Sequence, residues 1–260
     1  MTKIMAITNQ KGGVGKTTTT VNLAASLAVA GQRVLLIDLD PQGNATMGSG
    51  IEKRDLETTV YHVLLGSKTI AEARKKSEVG KYDVLPANRD LAGAEIELVD
   101  FSKRETRLRE ALQAVSNEYD YVLIDCPPAL NLLTLNGLCA AKSVMIPMQC
   151  EYYALEGLSD LVNTIRKVRA SLNPVLEIEG LLRTMFDPRN TLAQQVSDQL
   201  QEHFGNKVYS TVIPRNVRLA EAPSYGVPVL YHDKASKGTQ AYLALAKELL
   251  NIATKSAATV

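Results

Sequence analysis

The sequence predicts an α/β protein: a single doubly wound, mostly parallel sheet with helices on both faces. Three observations predict it. Short β-branched-rich runs alternate with helical patterns along all 260 residues. Several of those runs are almost continuously apolar, as parallel strands covered on both faces must be. No internal repeat, low-complexity tract or Pro/Ser linker breaks the alternation, so one domain over residues 1–260 is expected.

Taken in order, strands are expected at 3–8, 33–38, 82–85, 121–125, 143–147, 179–185 and 207–213. A helix at 17–30 fills the first gap, and Gly31 ends it as a left-handed cap. Ser102 and Glu105 have the spacing of a capping box, with Leu108, Leu112 and Val115 following on one face. Leu155, Leu158, Leu161, Val162, Ile165 and Val168 form the stripe of a further helix, stopped by Asn173-Pro174. Leu192, Val196, Leu200 and Phe204 form another, stopped by Gly205. In a doubly wound sheet, ligands gather at the carboxyl ends of the strands. That rule puts 9–18, 38–44 and 125–128 on one edge.

Composition narrows the class. Hydrophobic residues at 45% and charged residues at 22% fit a folded globular chain and exclude a disordered one. The formal net charge is only +1, so any nucleic-acid binding must come from a local basic patch. Cys126, Cys139 and Cys150 form no CxxC pair and leave an odd count. They read as small buried hydrophobes in a reducing compartment, not as disulfides or zinc ligands. No apolar run approaches the ~18 residues that span a bilayer, and the run 4–8 is too short for a signal-peptide core. A cytoplasmic location is expected. His62, His203 and His232 have no metal spacing, and Arg74-Lys75-Lys76 reads as a solvated face.

Residues 11–18 read Lys-Gly-Gly-Val-Gly-Lys-Thr-Thr between a strand and a helix. Gly12, Gly13 and Gly15 have no Cβ, so their backbone can approach phosphate oxygens and turn its N–H groups inward around Val14. The helix that follows presents its positive dipole end to the polyanion. Lys16 is placed to reach the β and γ phosphates of ATP, the Thr17 hydroxyl to ligate Mg²⁺, and Thr18 to touch phosphate. The common P-loop has glycine where this chain has Gln10, and a lysine, Lys11, stands one residue later. That substitution defines the deviant, two-lysine Walker A pattern, KGGxGKT. Asp38 and Asp40 end the second strand two residues apart, so both carboxylates point the same way if strand geometry continues. Asp125 ends the strand YDYVLIDCPP as a Walker B carboxylate able to hold Mg²⁺ through water.

The P-loop, LLIDLDPQGN, YDYVLIDCPP, IPRNVRLAEAPSYGVPV and KGTQAYLALAKELL together resemble the ParA/Soj family of DNA-partition ATPases, over essentially the whole chain. The match is to the short form, without the N-terminal helix-turn-helix extension of larger members. The resemblance implies a Mg²⁺-dependent ATPase in which two subunits sandwich two ATP molecules. Lys11 would then reach across to the other subunit's phosphates, as an arginine finger does, and Gly12 would lie at the contact. Asp40 matches the residue that positions the attacking water, and Asp38 and Asp125 would stand in the outer shell of Mg²⁺. Pro214 and Asn216 match the adenine-contacting loop. The implied partners are non-specific double-stranded DNA and ParB (Spo0J-like), whose basic N-terminal segment stimulates hydrolysis. Control of replication through DnaA is a further family role, and nucleoid association follows from DNA binding.

Relatives of this pattern divide between DNA, membrane and redox partners. For DNA, Arg189 and Arg218 match the DNA-binding face of Soj proteins, and Lys234 and Lys237 extend the patch. From residue 234 onward, four lysines face one acid, a local +3. The bland alternative is solvated charge, with Arg189 pairing Asp187. For a MinD-like membrane role, Tyr242, Leu245, Leu249 and Ile252 form the apolar stripe of the last helix. With only Lys247 and Lys255 opposite, that stripe reads as packing on the chain's own core, so no membrane partner is expected. The flanks of Cys126 and Cys139 do not look like ligands of a shared cluster.

Overall fold

Period-two alternation in the strands feeds two separate cores. Ile4, Ala6, Leu35, Ile37, Val122, Ile124, Val144 and Ile146 face one side, while Met5, Ile7, Val34, Leu36, Tyr121, Leu123 and Met145 face the other. The computed structural model describes residues 2–257, with side chains described to Asn251. Its strands are β1 (Lys3–Ile7), β2 (Val34–Asp38), β3 (Lys75–Ser77), β4 (Tyr82–Leu85), β5 (Tyr121–Asp125), β6 (Ser143–Gln149) and β7 (Glu177–Thr184). They form one sheet in the order β3-β4-β2-β5-β1-β6-β7. All pairings are parallel except β3 with β4.

The helices are α1 (Lys16–Val29), α2 (Asn44–Gly48), α3 (Val60–Leu65), α4 (Ile70–Ala73), α5 (Leu91–Glu97), α6 (Arg107–Leu112), α7 (Leu132–Ala140), α8 (Ala154–Ser171), α9 (Thr191–Phe204), α10 (Val217–Glu221), α11 (Val229–His232) and α12 (Lys237–Ala257). The core containing Ile4 takes its helical residues from α3 to α9. The other core takes them from α1, α2 and α10 to α12. Gly31 has φ +84° and its N–H bonds Ala28 O, while Gln32 N bonds Leu27 O, a Schellman stop for α1. Gly205 ends α9 at φ +51°.

Register positions the functional edge. Asp125 is paired with Ile7 of β1 on one side and with Asp38 of β2 on the other. The three loops that follow these strands therefore leave the sheet at one level, beside the switch point where β1 separates β5 from β6.

Two expectations fail for identifiable reasons. Residues 207–213 do not form a strand. They meet β7 at an isolated bridge, Leu181 with Val208, and where Ile213 N donates to Arg183 O, but side chains take up the backbone between these points. Arg183 donates to the carbonyls of Tyr209 and Ser210, and Glu248 accepts the N–H groups of Ser210 and Thr211. The Ser102–Glu105 capping box is absent. Lys103 turns left-handed at φ 56°, and buried Asn136 fixes the entry to α6 by accepting Leu108 N and donating to Arg104 O. Lys75 and Lys76 are exposed, as a solvated face requires, and they lie on a short antiparallel edge strand, where exposed lysines discourage edge-to-edge pairing.

Tyr242, Leu245 and Leu249 are buried against the core beside α1, with the Tyr242 hydroxyl bonded to Thr19. The side chains of Ile252 and Lys255 lie outside the described residues. The three cysteines are free and buried. Among the described residues, no helix is long and apolar enough to cross a membrane.

Candidate active site

The loop between β1 and α1 is built on two left-handed glycines, Gly13 at φ +74° and Gly15 at φ +88°, conformations that a Cβ disfavours. Buried Val14 between them is tied down from outside, because Thr184 at the end of β7 donates to its carbonyl at 2.7 Å. Asn9 braces the loop entrance, accepting Lys11 N and donating to Pro147 O. Lys16 lies buried within the loop, its Nζ donating to Lys11 O at 3.0 Å. Burial lowers its pKa, against the pull of charges that include Asp125 and Asp40. Lys11 behaves differently. Half exposed at the mouth, it pairs with Glu151 just beyond β6 at 2.5 Å. A Cβ on Gly12 would meet nothing within 4 Å.

Asp125 lies beneath α1, accepting from Thr17 Oγ1 at 2.7 Å and Thr20 Oγ1 at 3.1 Å. Asp38 is buried beside it and saturated: Thr46 donates both N–H and hydroxyl at 2.8 Å, and Asp40 donates its N–H at 3.1 Å. Strand geometry therefore does not continue through Asp40. The chain bends back on Asp38, and half-buried Asp40 forms its own turn, accepting Gln42 N through its side chain and Gly43 N through its carbonyl. Gly43, at φ +62°, closes that turn where a Cβ would lie 2.7 Å from Ala87 O.

These groups fit a magnesium ion held mainly by a bound triphosphate. Among the described residues, no cluster of three His, Cys, Asp or Glu could hold a metal alone. An ion there would take one hydroxyl, Thr17 Oγ1, together with phosphate oxygens and water. Burial raises the pKa of Asp38 to about 6 and of Asp125 to about 8, the latter further lifted by the neighbouring Asp38 charge. A cation placed between two such carboxylates would lower both.

On the far side of α1, a cavity of ≈ 200 Å³ is lined by Gly15, Thr18, Pro214, Asn216, Leu219 and Tyr242. Pro214 is fixed by an isolated bridge to Phe186. Asn216 Oδ1 caps α10 through Arg218 N and Leu219 N, which leaves its amide N–H₂ as the group offered to a ligand. A groove of ≈ 430 Å³ opens between α1 and α2, with Thr17 and Asn44 in its walls.

The basic residues lie around this edge but not in it. Arg189, with its side chain 88% exposed, forms a two-bonded pair with Asp187. Arg218 pairs with Glu221 at 2.8 Å and Asp233 at 3.3 Å, which brings it against the turn carrying exposed Lys234 and Lys237. Sequence reasoning passed over Glu151, Thr46 and Arg215. Arg215, inside the IPRN run, lines the cavity with Pro214 and Asn216 and lies within electrostatic reach of Asp187.

A parallel sheet with a glycine nest at its switch point, an internal lysine and a carboxylate-anchored Thr17 defines the chain as a P-loop nucleoside triphosphatase, here with a second lysine at the mouth. A family model described as "AAA domain" matches residues 2–178. The "Sporulation initiation inhibitor protein Soj" of Bacillus subtilis is 59% identical over 96% of this chain and 98% of its own. The "Chromosome partitioning protein ParA" of Caulobacter vibrioides is 54% identical over 96% of this chain and 94% of its own. A solved structure described as cobyrinic acid a,c-diamide synthase from Mycobacterium smegmatis, with bound ADP and magnesium, is 40% identical. It superposes with a TM-score of 0.84 over 96% of this chain and 94% of its own. The chain belongs to the ParA/Soj family of chromosome-partitioning ATPases.

The carboxylate pair generates a prediction. Asp38 and Asp125 hold their protons more tightly folded than unfolded, so their contribution to stability is greatest at low pH and is lost as pH rises toward the raised values. The nucleotide-free protein should therefore lose thermal stability from about pH 5 to about pH 8, and Asp125→Asn should flatten that loss. Calorimetry across this range checks it, and a wild-type melting temperature that rises toward pH 8 would contradict it.

Proposed function

We propose that this Mg²⁺-dependent ATPase works as a partition switch: ATP joins two copies face to face, the pair binds DNA without sequence preference, and hydrolysis releases it. The observation that carries the reading is the division of labour between the two lysines. Lys16 is turned into the loop, while Lys11 stands at its mouth, held only by a half-exposed pair with Glu151. Such a pair is worth under about 1 kcal/mol, so a phosphate on a second subunit can displace Glu151 cheaply. The open space around Gly12 suits a surface that another copy approaches.

Within that scheme the loop N–H groups of residues 12–15 and Lys16 hold the phosphates, aided by Thr18, and Thr17 ligates Mg²⁺ directly. Asp38 and Asp125 act on the ion through water, Asp40 positions the attacking water, and Pro214 and Asn216 hold the adenine. The ADP and magnesium of the Mycobacterium relative support these cofactors. DNA contacts come from Arg189, Arg218, Lys234 and Lys237. The first two must exchange carboxylates for phosphates, a swap between like-charged acceptors. ParB is the partner that triggers hydrolysis, with DnaA as the point of contact for replication control, and the assembly sits on the nucleoid. A MinD-like membrane role is less well supported, because Tyr242, Leu245 and Leu249 face the core.

Lys11→Ala should still bind ATP but sediment as a monomer with it, whereas Asp40→Ala should accumulate as an ATP-bound dimer. A normal ATP dimer of Lys11→Ala in sedimentation would remove the cross-subunit role. Joint Arg189→Ala and Arg218→Ala substitution should weaken ATP-dependent DNA binding by roughly tenfold or more and flatten its salt dependence; an unchanged gel shift would discard those contacts. Steady-state ATPase assays should show stimulation by DNA and ParB together, and a rate indifferent to both would count against partition while leaving the ATPase intact.

A further inference from the structure

Met185 follows β7 directly, and its backbone lies in the left-handed region at φ 50°, which L-residues with a Cβ seldom adopt. Among the described residues, the other non-glycines at positive φ are Lys81 and Lys103, both in exposed turns. Met185 sits instead between two fixed neighbours. Thr184 is bonded to the P-loop carbonyl of Val14 at 2.7 Å, and Phe186 N donates to Ile213 O at 3.0 Å. With both flanks anchored, the residue between them must take up the turn. Conformations of this kind persist where surrounding structure over-determines them, and they concentrate at ligand sites.

The consequence is where the side chain falls. Met185 lines the ≈ 200 Å³ cavity beside the P-loop and also a second cavity of ≈ 180 Å³ that reaches Glu151 and Asp187. The Gln149 side chain packs against its sulfur, bracing the thioether from β6. Glycine would adopt the same backbone without strain, but it would leave this wall between the cavities unfilled. A thioether is polarisable and packs favourably on aromatic rings, so the wall suits a flat base and does nothing for phosphate.

We propose that Met185 forms one wall of the purine site and determines how tightly the base, as distinct from the triphosphate, is held. The proposal rests on assigning the ≈ 200 Å³ cavity to the base. Titration calorimetry on the full chain, with a non-hydrolysable ATP analogue and separately with magnesium tripolyphosphate, separates the two contributions. Met185→Ala should weaken the analogue roughly 2- to 10-fold, the range expected for a lost sulfur–ring contact, and leave tripolyphosphate binding unchanged. Met185→Leu, which keeps the bulk, should fall between Met185→Ala and wild type. Equal weakening of both ligands by Met185→Ala, or no weakening of the analogue, overturns the proposal. Ala220→Trp, at an exposed position lining the same cavity, tests the underlying assignment. If it leaves the analogue unaffected, the cavity is not the base site and both readings fall. If it weakens the analogue while Met185→Ala does not, the role of Met185 alone is overturned.

Discussion

The whole site depends on one pairing register, in which Asp125 lies between Ile7 and Asp38 across three parallel strands. Parallel pairing places all three carboxyl ends on one edge, so the P-loop, the Asp40 turn and the Walker B strand meet without long connections. The same register forces two carboxylates into the core side by side, at a cost that burial and mutual repulsion make evident in their raised pKa values. Hydroxyls and backbone N–H groups offset part of that cost. Thr17 and Thr20 serve Asp125, while Thr46 and the Asp40 N–H serve Asp38. What the protein groups leave unbalanced is negative charge, which a divalent cation is suited to neutralise.

This arrangement gives the two aspartates different freedom. Asp38 accepts three hydrogen bonds and thereby fixes the start of the Asp40 turn. Thr46, which donates two of them, also accepts Ala87 N, so β2, α2 and the chain after β4 are locked through one hydroxyl. Asp125 bonds only hydroxyls of α1, one of them Thr17, so a metal drawing on Thr17 draws on Asp125 as well. The foot of the site is rigid on the Asp38 side and responsive on the Asp125 side.

Much of this was legible in the sequence because its signals are local. Glycines at 13 and 15, a lysine at 16 and apolar strands ending in aspartate carry their meaning within a few residues. The missed features are those whose cause lies far along the chain. Residues 207–213 look like a strand, yet Arg183 and Glu248 consume their backbone groups. Ser102 and Glu105 have the spacing of a cap, yet Asn136 on α7 sets the entry to α6. Asp38 and Asp40 look like a pair on a continuing strand, yet Thr46 takes the first and a tight turn takes the second. Arg189 shows the converse, since its pairing with Asp187 two residues away was one of the readings open from sequence alone.

The contrast between fixed and releasable contacts is what the proposed switch would draw on. Groups at the foot of the site are buried and multiply bonded, and rearranging any of them would expose an unpaired carboxylate or hydroxyl. The cations proposed to act outside the chain are held differently. Lys11 has Glu151, Arg189 has Asp187, and Arg218 has Glu221 and Asp233, all on exposed or half-exposed surface. Pairs in water exchange partners at little cost, and a phosphate group offers each cation the same kind of acceptor that it leaves. A molecule built in this way need not reorganise its core to change partners. It has only to move a few side chains at the rim, while the buried register beneath them keeps the phosphate loop in place.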